Sequence, residues 1–473
     1  MSAPVGYGVY IPYWRLDASD IRAVLGSAGG KGQRAVASYD EDSTTMAVEA
    51  ARDALAAAPK NYAPEALYFV TTSPSYIDKT NAAAIHAALG LPAHVPAYDV
   101  GGACRSIAGV VDLVQACARP ALVVTADLRS GLPGSADEAT GGDGAACLLF
   151  GGGDDALVEV LASSSVTEEF LDRWRTPGSD VARVWEDRFG ESAYQPLSRA
   201  AFTDALDKAG IGVADIDYLV VTGLHARAVK EFLRWSGVPG ARAVDLVPRI
   251  GNTGTAAQGI SLAHVLDRAE PGQIIVTVAL ADGVDAAVMR AAERVTAARD
   301  RRRRSVAELV DGPHRRLDYG TFLTWRGRLD REPPRRPNPP SPAAAPALRR
   351  REWKYGLTAS RCGKCGTRHL PAARVCVHCR AHDHMTAERV ADEQATVATY
   401  TVDRLAFTPS PPLIAAMIDY DRGGRAGVEI TDAAPADIEI GTRVEMTFRR
   451  LYTAENGVHN YFWKARPVRQ AGE

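Results

Sequence analysis

The chain has 473 residues, 46% of them hydrophobic, and a formal net charge of −2 at pH 7. That length predicts two or three domains with ample core material, and the near-zero charge excludes a global pull toward nucleic acid or anionic membrane. No run approaches the roughly 20 apolar residues of a membrane span and no secretory leader is expected, so the chain reads as a cytoplasmic protein without a membrane partner.

The first 290 or so residues alternate helical and strand patterns. "STTMAVEAARDALAAA" has helical apolar spacing behind a Ser/Thr start, and "ALYFVTTS", "PALVVTADL" and "AACLLFGGG" read as buried strands. In "YDVGGACRSIAGVVDLV", Cys104 follows two glycines and precedes a helical run. Two readings stand there. A nucleophile at a helix start gains from unpaired N–H groups and the helix dipole, which favour a thiolate; a small core cysteine is inert.

The pattern then recurs about 150 residues later. "RDALAAAPKNYAPEALYFVTTS" is echoed by "TDALDKAGIGVADIDYLVVTGL", and the cysteine turn by "VPRIGNTGTAAQGISLAHVLDRAEPGQIIVTVAL". An internal duplication of an α/β half predicts that strand ends and helix starts from both halves meet at one centre. Cys104 then corresponds to Asn252, and His225 of "TGLHARAVK" to the stretch at Thr72. An imidazole accepts a thiol proton, and imidazole and asparagine N–H groups hold a thioester oxyanion.

The basic runs "RDRRRR" (299–304) and "RRRE" (349–352) read as solvated flanks. "DREPPRRPNPPSPAAAPA" is too proline-rich to pack and reads as an extended tether. Cys362, Cys365, Cys376 and Cys379 follow at C-x2-C-x10-C-x2-C spacing. Four thiolates satisfy zinc completely and leave no open position, so the metal is expected to be structural, with His378 as exposed filler. Short β-type runs beyond it predict a small barrel. Its aromatics, Tyr400, Phe407, Tyr452, Tyr461, Phe462 and Trp463, read as core packing rather than a base-stacking platform, and nucleic acid is not expected as a partner.

Several stretches resemble the thiolase superfamily, and within it the archaeal-type hydroxymethylglutaryl-CoA synthases and type-three ketoacyl synthases. They are "VGYGVYIPYWRL", "SPSYIDKTNA", the Cys104 turn, "DRWRTPGSDVARVWEDRFGESAY", "HARAVK" and "GNTGTAAQGISL". The tail is similar to the zinc-ribbon and OB-fold proteins that accompany thiolase-like enzymes. The resemblance implies an α/β chain: a duplicated thiolase-like αβαβα body, then a small zinc ribbon and an OB-type β-barrel. The expected boundaries are 1–165 and 166–329 for the two halves, 330–350 for the linker, 351–385 for the ribbon and 386–473 for the barrel. It also implies a homodimer using a coenzyme A thioester. Cys104 would carry the acyl group, His225 and Asn252 would bind a thioester oxygen, and Lys230 and Thr72 would contact substrate or coenzyme A.

The family's catalytic glutamate is missing: alignment puts Thr72 there, and Asp282 or Asp285 are the candidate replacements. The leading expectation is an acyl-CoA-dependent enzyme making or breaking a carbon–carbon bond through acyl-Cys104. The alternatives are an acyltransferase, a retro-aldolase acting on a β-hydroxyacyl-CoA, or a non-catalytic binder of acyl-CoA or nucleic acid. The tail is expected to cap the substrate channel.

Overall fold

The computed structural model describes residues 2–26, 30–333, 335 and 339–469. Two five-stranded sheets carry the duplication. The first uses β1 (Ala3–Tyr10), β2 (Ala66–Thr71), β3 (Ala97–Gly101), β4 (Ala121–Asp127) and β5 (Gly144–Gly151) in the order β1-β5-β4-β2-β3. The second uses β6 (Val158–Val166), β7 (Tyr218–Gly223), β8 (Ala243–Val244), β9 (Ile274–Leu280) and β10 (Val284–Ala291) in the order β6-β10-β9-β7-β8. Read from β1 and from β6, both run antiparallel, antiparallel, parallel, parallel. Two halves sharing so specific an order are repeats of one unit.

Helix α1 (Ser43–Ala56) starts at Asp42, whose side chain accepts the Thr45 N–H while Thr45 Oγ1 accepts the Asp42 N–H. This capping box engages two donors that helix geometry leaves unpaired. Helix α2 (Ser106–Cys117) follows the Cys104 turn; α3 (Asp187–Ala209) and α4 (Ala226–Trp235) belong to the second half. Helix α5 (Ala257–Leu266) is buried from Gly259 to Leu266 and packs against strands of both sheets, so it forms part of the central layer. Among the described residues no helix is long and apolar enough to cross a membrane.

The tail differs from a tethered appendage in two ways. Part of the segment expected to be extended is helical, over Ala344–Arg349, and a second short helix follows over Arg351–Lys354. The ribbon strands β11 (Thr358–Cys362), β12 (Arg368–His369) and β13 (Met385–Arg389) lead into a closed barrel of β14 (Gln394–Asp403), β15 (Leu413–Tyr420), β16 (Arg425–Ile430), β17 (Arg443–Thr453) and β18 (His459–Pro467). Barrel residues such as Phe448 and Trp463 share one apolar cluster with Met46, Ala50 and Leu67 of the first half. Of the barrel aromatics, Tyr461 and Trp463 are buried, whereas Phe407 is exposed.

Polar contacts reinforce this docking. Arg449 pairs with Glu41 at 2.7 Å and Asp432 at 2.6 Å, and Lys464 with Asp40 at 3.0 Å. The Tyr461 hydroxyl donates to Asp42 at 2.7 Å. The basic run at 299–304 is also not a solvated face throughout. The Arg302 side chain is 2% exposed and lies between Asp53 (3.2 Å) and Asp267 (3.4 Å), above the Tyr7 ring. Two acids and an aromatic face offset the cost of desolvating it.

Candidate active site

Cys104 sits in the turn between β3 and α2, where Gly102 takes φ +109°, a conformation that a Cβ disfavours. The thiol is partly buried and lines a small cavity of about 30 Å³ between the halves. Thr222, Gly223, Leu224, Asn252 and Leu280 of the second half also line it. None of its lining residues comes from the tail. Burial, followed by the nearby Asp127 carboxylate, pushes the thiol up to about 12. The helix start therefore does not make it a resting thiolate: desolvation and a like charge outweigh the dipole.

Asn252 is held from both sides. Its backbone N–H donates to Thr140 O at 2.8 Å and its carbonyl accepts from Gly142 N–H at 2.9 Å, bridging the halves. Its Nδ2 donates to Gly223 O at 2.7 Å, and its Oδ1 accepts the Gly254 N–H at 3.1 Å. A carboxamide nitrogen has two hydrogens, so one N–H remains for another oxygen.

His225 follows the wall residue Leu224 and caps α4, its Nδ1 accepting the Ala228 N–H at 3.0 Å. The acceptor role of Nδ1 places the hydrogen of the neutral ring on Nε2. Nε2 is buried, has no hydrogen-bond partner among the described residues, and stands 4.0 Å from Asp172 Oδ1. Gly190 of α3 makes room for this pair: a Cβ there would collide with Asp172 Oδ1 and stand 2.7 Å from His225 Nε2.

The structure thus brings Cys104 and Asn252 to one cavity, with His225 one residue beyond its wall. Lys230 is exposed on α4, and neither it nor Thr72 lines the cavity. Thr72 is held by its backbone, its N–H donating to Asp127 Oδ1 at 2.7 Å and its carbonyl accepting from Arg175.

The carboxylate beside Cys104 comes from Asp127, which sequence reasoning missed. It is fully buried at the end of β4, and its oxygens accept from Thr71 Oγ1 at 3.0 Å and the Thr255 N–H at 2.8 Å. The available signal was an acid closing the apolar run "PALVVTADL". Of the candidate replacements, Asp285 lines the Cys104 cavity, and the charge of Asp282 adds to the upward push on the thiol. Asp285 is paired with Arg105 Nε at 2.9 Å and accepts from Ser165 Oγ at 2.6 Å. The Asp282 turn is fixed by its backbone, its carbonyl accepting from Arg105 Nη1 at 2.8 Å. Arg105, next to Cys104, thereby ties the first half to the second.

In the ribbon, the four cysteine sulfurs lie within 4.8 Å of one another, with Cys362–Cys379 at 3.6 Å and Cys365–Cys376 at 3.5 Å. Zinc–thiolate bonds of about 2.3 Å in a tetrahedron put sulfurs about 3.8 Å apart, so the arrangement fits that ion. His378 is exposed.

Comparison with known proteins agrees with this architecture. Residues 206–291 match the 3-oxoacyl-[acyl-carrier-protein] synthase III C-terminal family. Residues 354–384 match the ChsH2 rubredoxin-like zinc ribbon domain and 388–449 the ChsH2 C-terminal OB-fold domain. Hydroxymethylglutaryl-CoA synthase of Methanothermobacter thermautotrophicus is 31% identical over 349 residues, covering 70% of this chain and 99% of that protein. The Methanocaldococcus jannaschii synthase is 29% identical over 351 residues, at 70% and 99% coverage. Among solved structures, PksG, an HMG-CoA synthase from Bacillus subtilis, aligns with TM-score 0.59 at 18% identity, covering 69% of this chain and 88% of that one. FabH from Pseudomonas aeruginosa PAO1 aligns with TM-score 0.55 at 24% identity, covering 62% and 98%. These two likenesses establish the thiolase-like fold. With nearly the whole of a synthase matched by the body, the chain belongs to the hydroxymethylglutaryl-CoA synthase family, here carrying a zinc ribbon and an OB-type barrel in the same polypeptide.

Proposed function

We propose that this protein is an acyl-CoA condensing enzyme that forms a carbon–carbon bond through an acyl-Cys104 thioester. The observation that carries the reading is the shared cavity of Cys104 and Asn252 at the seam of the two halves. The Cys104 thiol gives up its proton as its sulfur attacks the donor thioester carbon, and coenzyme A leaves as the thiol. The second Asn252 N–H and the His225 Nε2–H then hold the thioester oxygen of the second acyl-CoA as its α-carbon, freed by loss of carbon dioxide from a malonyl thioester or of a proton to water, attacks the acyl carbon; the carbon–sulfur bond breaks and Cys104 leaves as a thiolate that regains its proton. Lys230 meets the anionic end of coenzyme A, and Thr72 borders the second acyl group. Asp127 fixes the Thr72 and Thr255 backbones around the thiol, which makes it a positioning residue. The synthases among the relatives favour bond formation over the retro-aldol alternative.

Incubation with acetyl-CoA alone should release a single equivalent of coenzyme A per chain, and continuous release should require a second thioester, acetoacetyl-CoA or malonyl-CoA. Continuous release with neither pair contradicts the reading, and the pair consumed identifies the acceptor. Gly190→Ala should lower kcat/KM about 100-fold by displacing the His225 ring while the helical signal is kept, because about 1 Å of misplacement costs that much. An unchanged kcat/KM would remove His225 from this role.

The reading extends to a cytoplasmic homodimer. Strand β3 is a sheet edge with Tyr98 half exposed, and Leu113 of α2 is exposed nearby, which suits pairing with a second copy. Zinc in the four-cysteine site is structural: it cross-links the knuckles and takes no part in the chemistry. A strong chelator should unfold the 358–389 ribbon and expose four titratable thiols, leaving the body's helical signal largely intact. Retention of all four thiols against chelator would argue against a metal.

A further inference from the structure

A second cavity, of about 660 Å³, lies between the body and the tail and shares no lining residue with the Cys104 cavity. Its size is that of a small-molecule site. Arg15, Arg303, Arg304 and Arg469 contribute to its wall, and among the described residues none of the four has a carboxylate within ion-pair distance.

The acids in the same wall are engaged with other cations. Glu49 holds Arg52 and Arg466, Asp53 holds Arg302, Asp392 holds Arg52 and Arg389, Glu445 holds Arg466, and Asp432 holds Arg449. Glu308 caps the short helix that begins after Ser305.

Arg469 already donates from Nη2 to the Asp432 carbonyl and lies over the Tyr13 ring, whereas Arg15 and Arg304 are unusual. Arg15 is 2% exposed; its Nη1 donates only to the carbonyls of Pro12 and Trp14, and its Nε has no partner among the described residues. Burying a guanidinium against carbonyls alone is costly. Arg304 makes no side-chain hydrogen bond to a described residue, and its pKa is lowered by burial and then by the nearby Arg466, with Glu445 and Asp53 opposing and Arg469 adding to the effect. Like charges gathered around a cavity are stabilised by a bound anion. A guanidinium fork matches phosphate oxygens two at a time.

We propose that this cavity binds a phosphorylated anion of up to nucleotide size, its phosphate oxygens held by Arg15, Arg304 and Arg469 between body and tail. Arg303, exposed at position 303, completes the positive rim. The ligand touches both parts of the chain, so its binding strengthens the docking of the tail.

The test is calorimetric titration of the full-length protein in chloride buffer with pyrophosphate and, separately, with adenosine 5′-diphosphate. Saturable binding is expected, weakened about tenfold by Arg304→Gln, as removal of one charged hydrogen-bonding group predicts. Lys230→Gln should leave it unchanged, which separates this site from the coenzyme A contact proposed above. Equal affinity for both probes identifies the ligand as an inorganic anion. Tenfold tighter nucleotide binding identifies a phosphate ester whose organic part fills the cavity. Because Arg304 has no hydrogen-bonded side-chain partner, Arg304→Gln should melt no lower than the parent; Arg303→Gln, at an exposed position, provides a second comparison. No binding of either probe, or parent-like affinity in both Arg304→Gln and Arg303→Gln, overturns the proposal.

Discussion

Cys104→Ala should reduce turnover of the two-thioester reaction by about 10⁴-fold or more while leaving the fold intact, the scale expected when a covalent nucleophile is removed. The fold should survive because the side chain is small, only partly buried, and makes no hydrogen bond to a described residue that alanine would orphan. The effect should exceed that of His225→Ala or Asn252→Ala, for which about 10²–10³-fold is expected from losing one oxyanion donor. The pH behaviour follows from the thiol's environment. Burial and Asp127 push it up to about 12, so the resting group is a thiol throughout the neutral range. Alkylation of the substrate-free enzyme by iodoacetamide should therefore be slow at pH 7 and climb about tenfold per pH unit up to about pH 10. A plateau below pH 9 would show that the thiolate already forms there and that the surroundings of Cys104 differ from those described.

The second large effect lies far from the cavity. Arg449→Met should destabilise the full chain by about 3–5 kcal/mol, the cost of removing one partner from a buried ion network. The Arg449 side chain is fully buried against Asp40, Glu41 and Asp432, and it donates to Tyr10 Oη at 3.1 Å. Methionine fills similar volume but leaves three buried carboxylates with Lys464 as the remaining buried cation beside Asp40. The loss should appear in urea unfolding as a new early transition, accompanied by faster proteolysis within the barrel. Arg449→Lys should restore part of the stability and little of the bidentate geometry. A change below about 1 kcal/mol in Arg449→Met would mean that apolar packing of the barrel on α1 holds the tail by itself.

Much of this architecture was legible in the sequence because it is written in local patterns. The duplication appears as paired strand-turn-helix echoes, and the shared strand order of the two sheets follows from it. The metal site is a matter of spacing, and four cysteines converge as that spacing requires. Cys104 and Asn252 occupy equivalent turns and meet at one cavity. What escaped was set by contacts between distant segments. Asp127 looks like a residue ending a strand; only the approach of Thr255 from the other half makes it a clasp. Arg302 sits in a run of arginines that reads as solvated, and burial becomes affordable only once Asp53 and Asp267 close around it. The tail's docking depends on pairs such as Lys464 with Asp40, more than four hundred residues apart, which no local pattern announces. The same holds for the cavity at Cys104. Its lining comes from both halves of the body, while the tail rests on α1 and on the Ser75–Tyr76 loop, where the His459 N–H donates to Tyr76 Oη at 2.7 Å.

The central claim is that Cys104 carries the acyl group, and intact-protein and peptide mass spectrometry after incubation with acetyl-CoA alone tests it most directly. The account predicts one added acetyl group per chain, confined to the peptide containing Cys104, absent from Cys104→Ala and discharged on adding the second thioester. Acetylation elsewhere, or full turnover with no adduct at Cys104 under rapid quench, would contradict it.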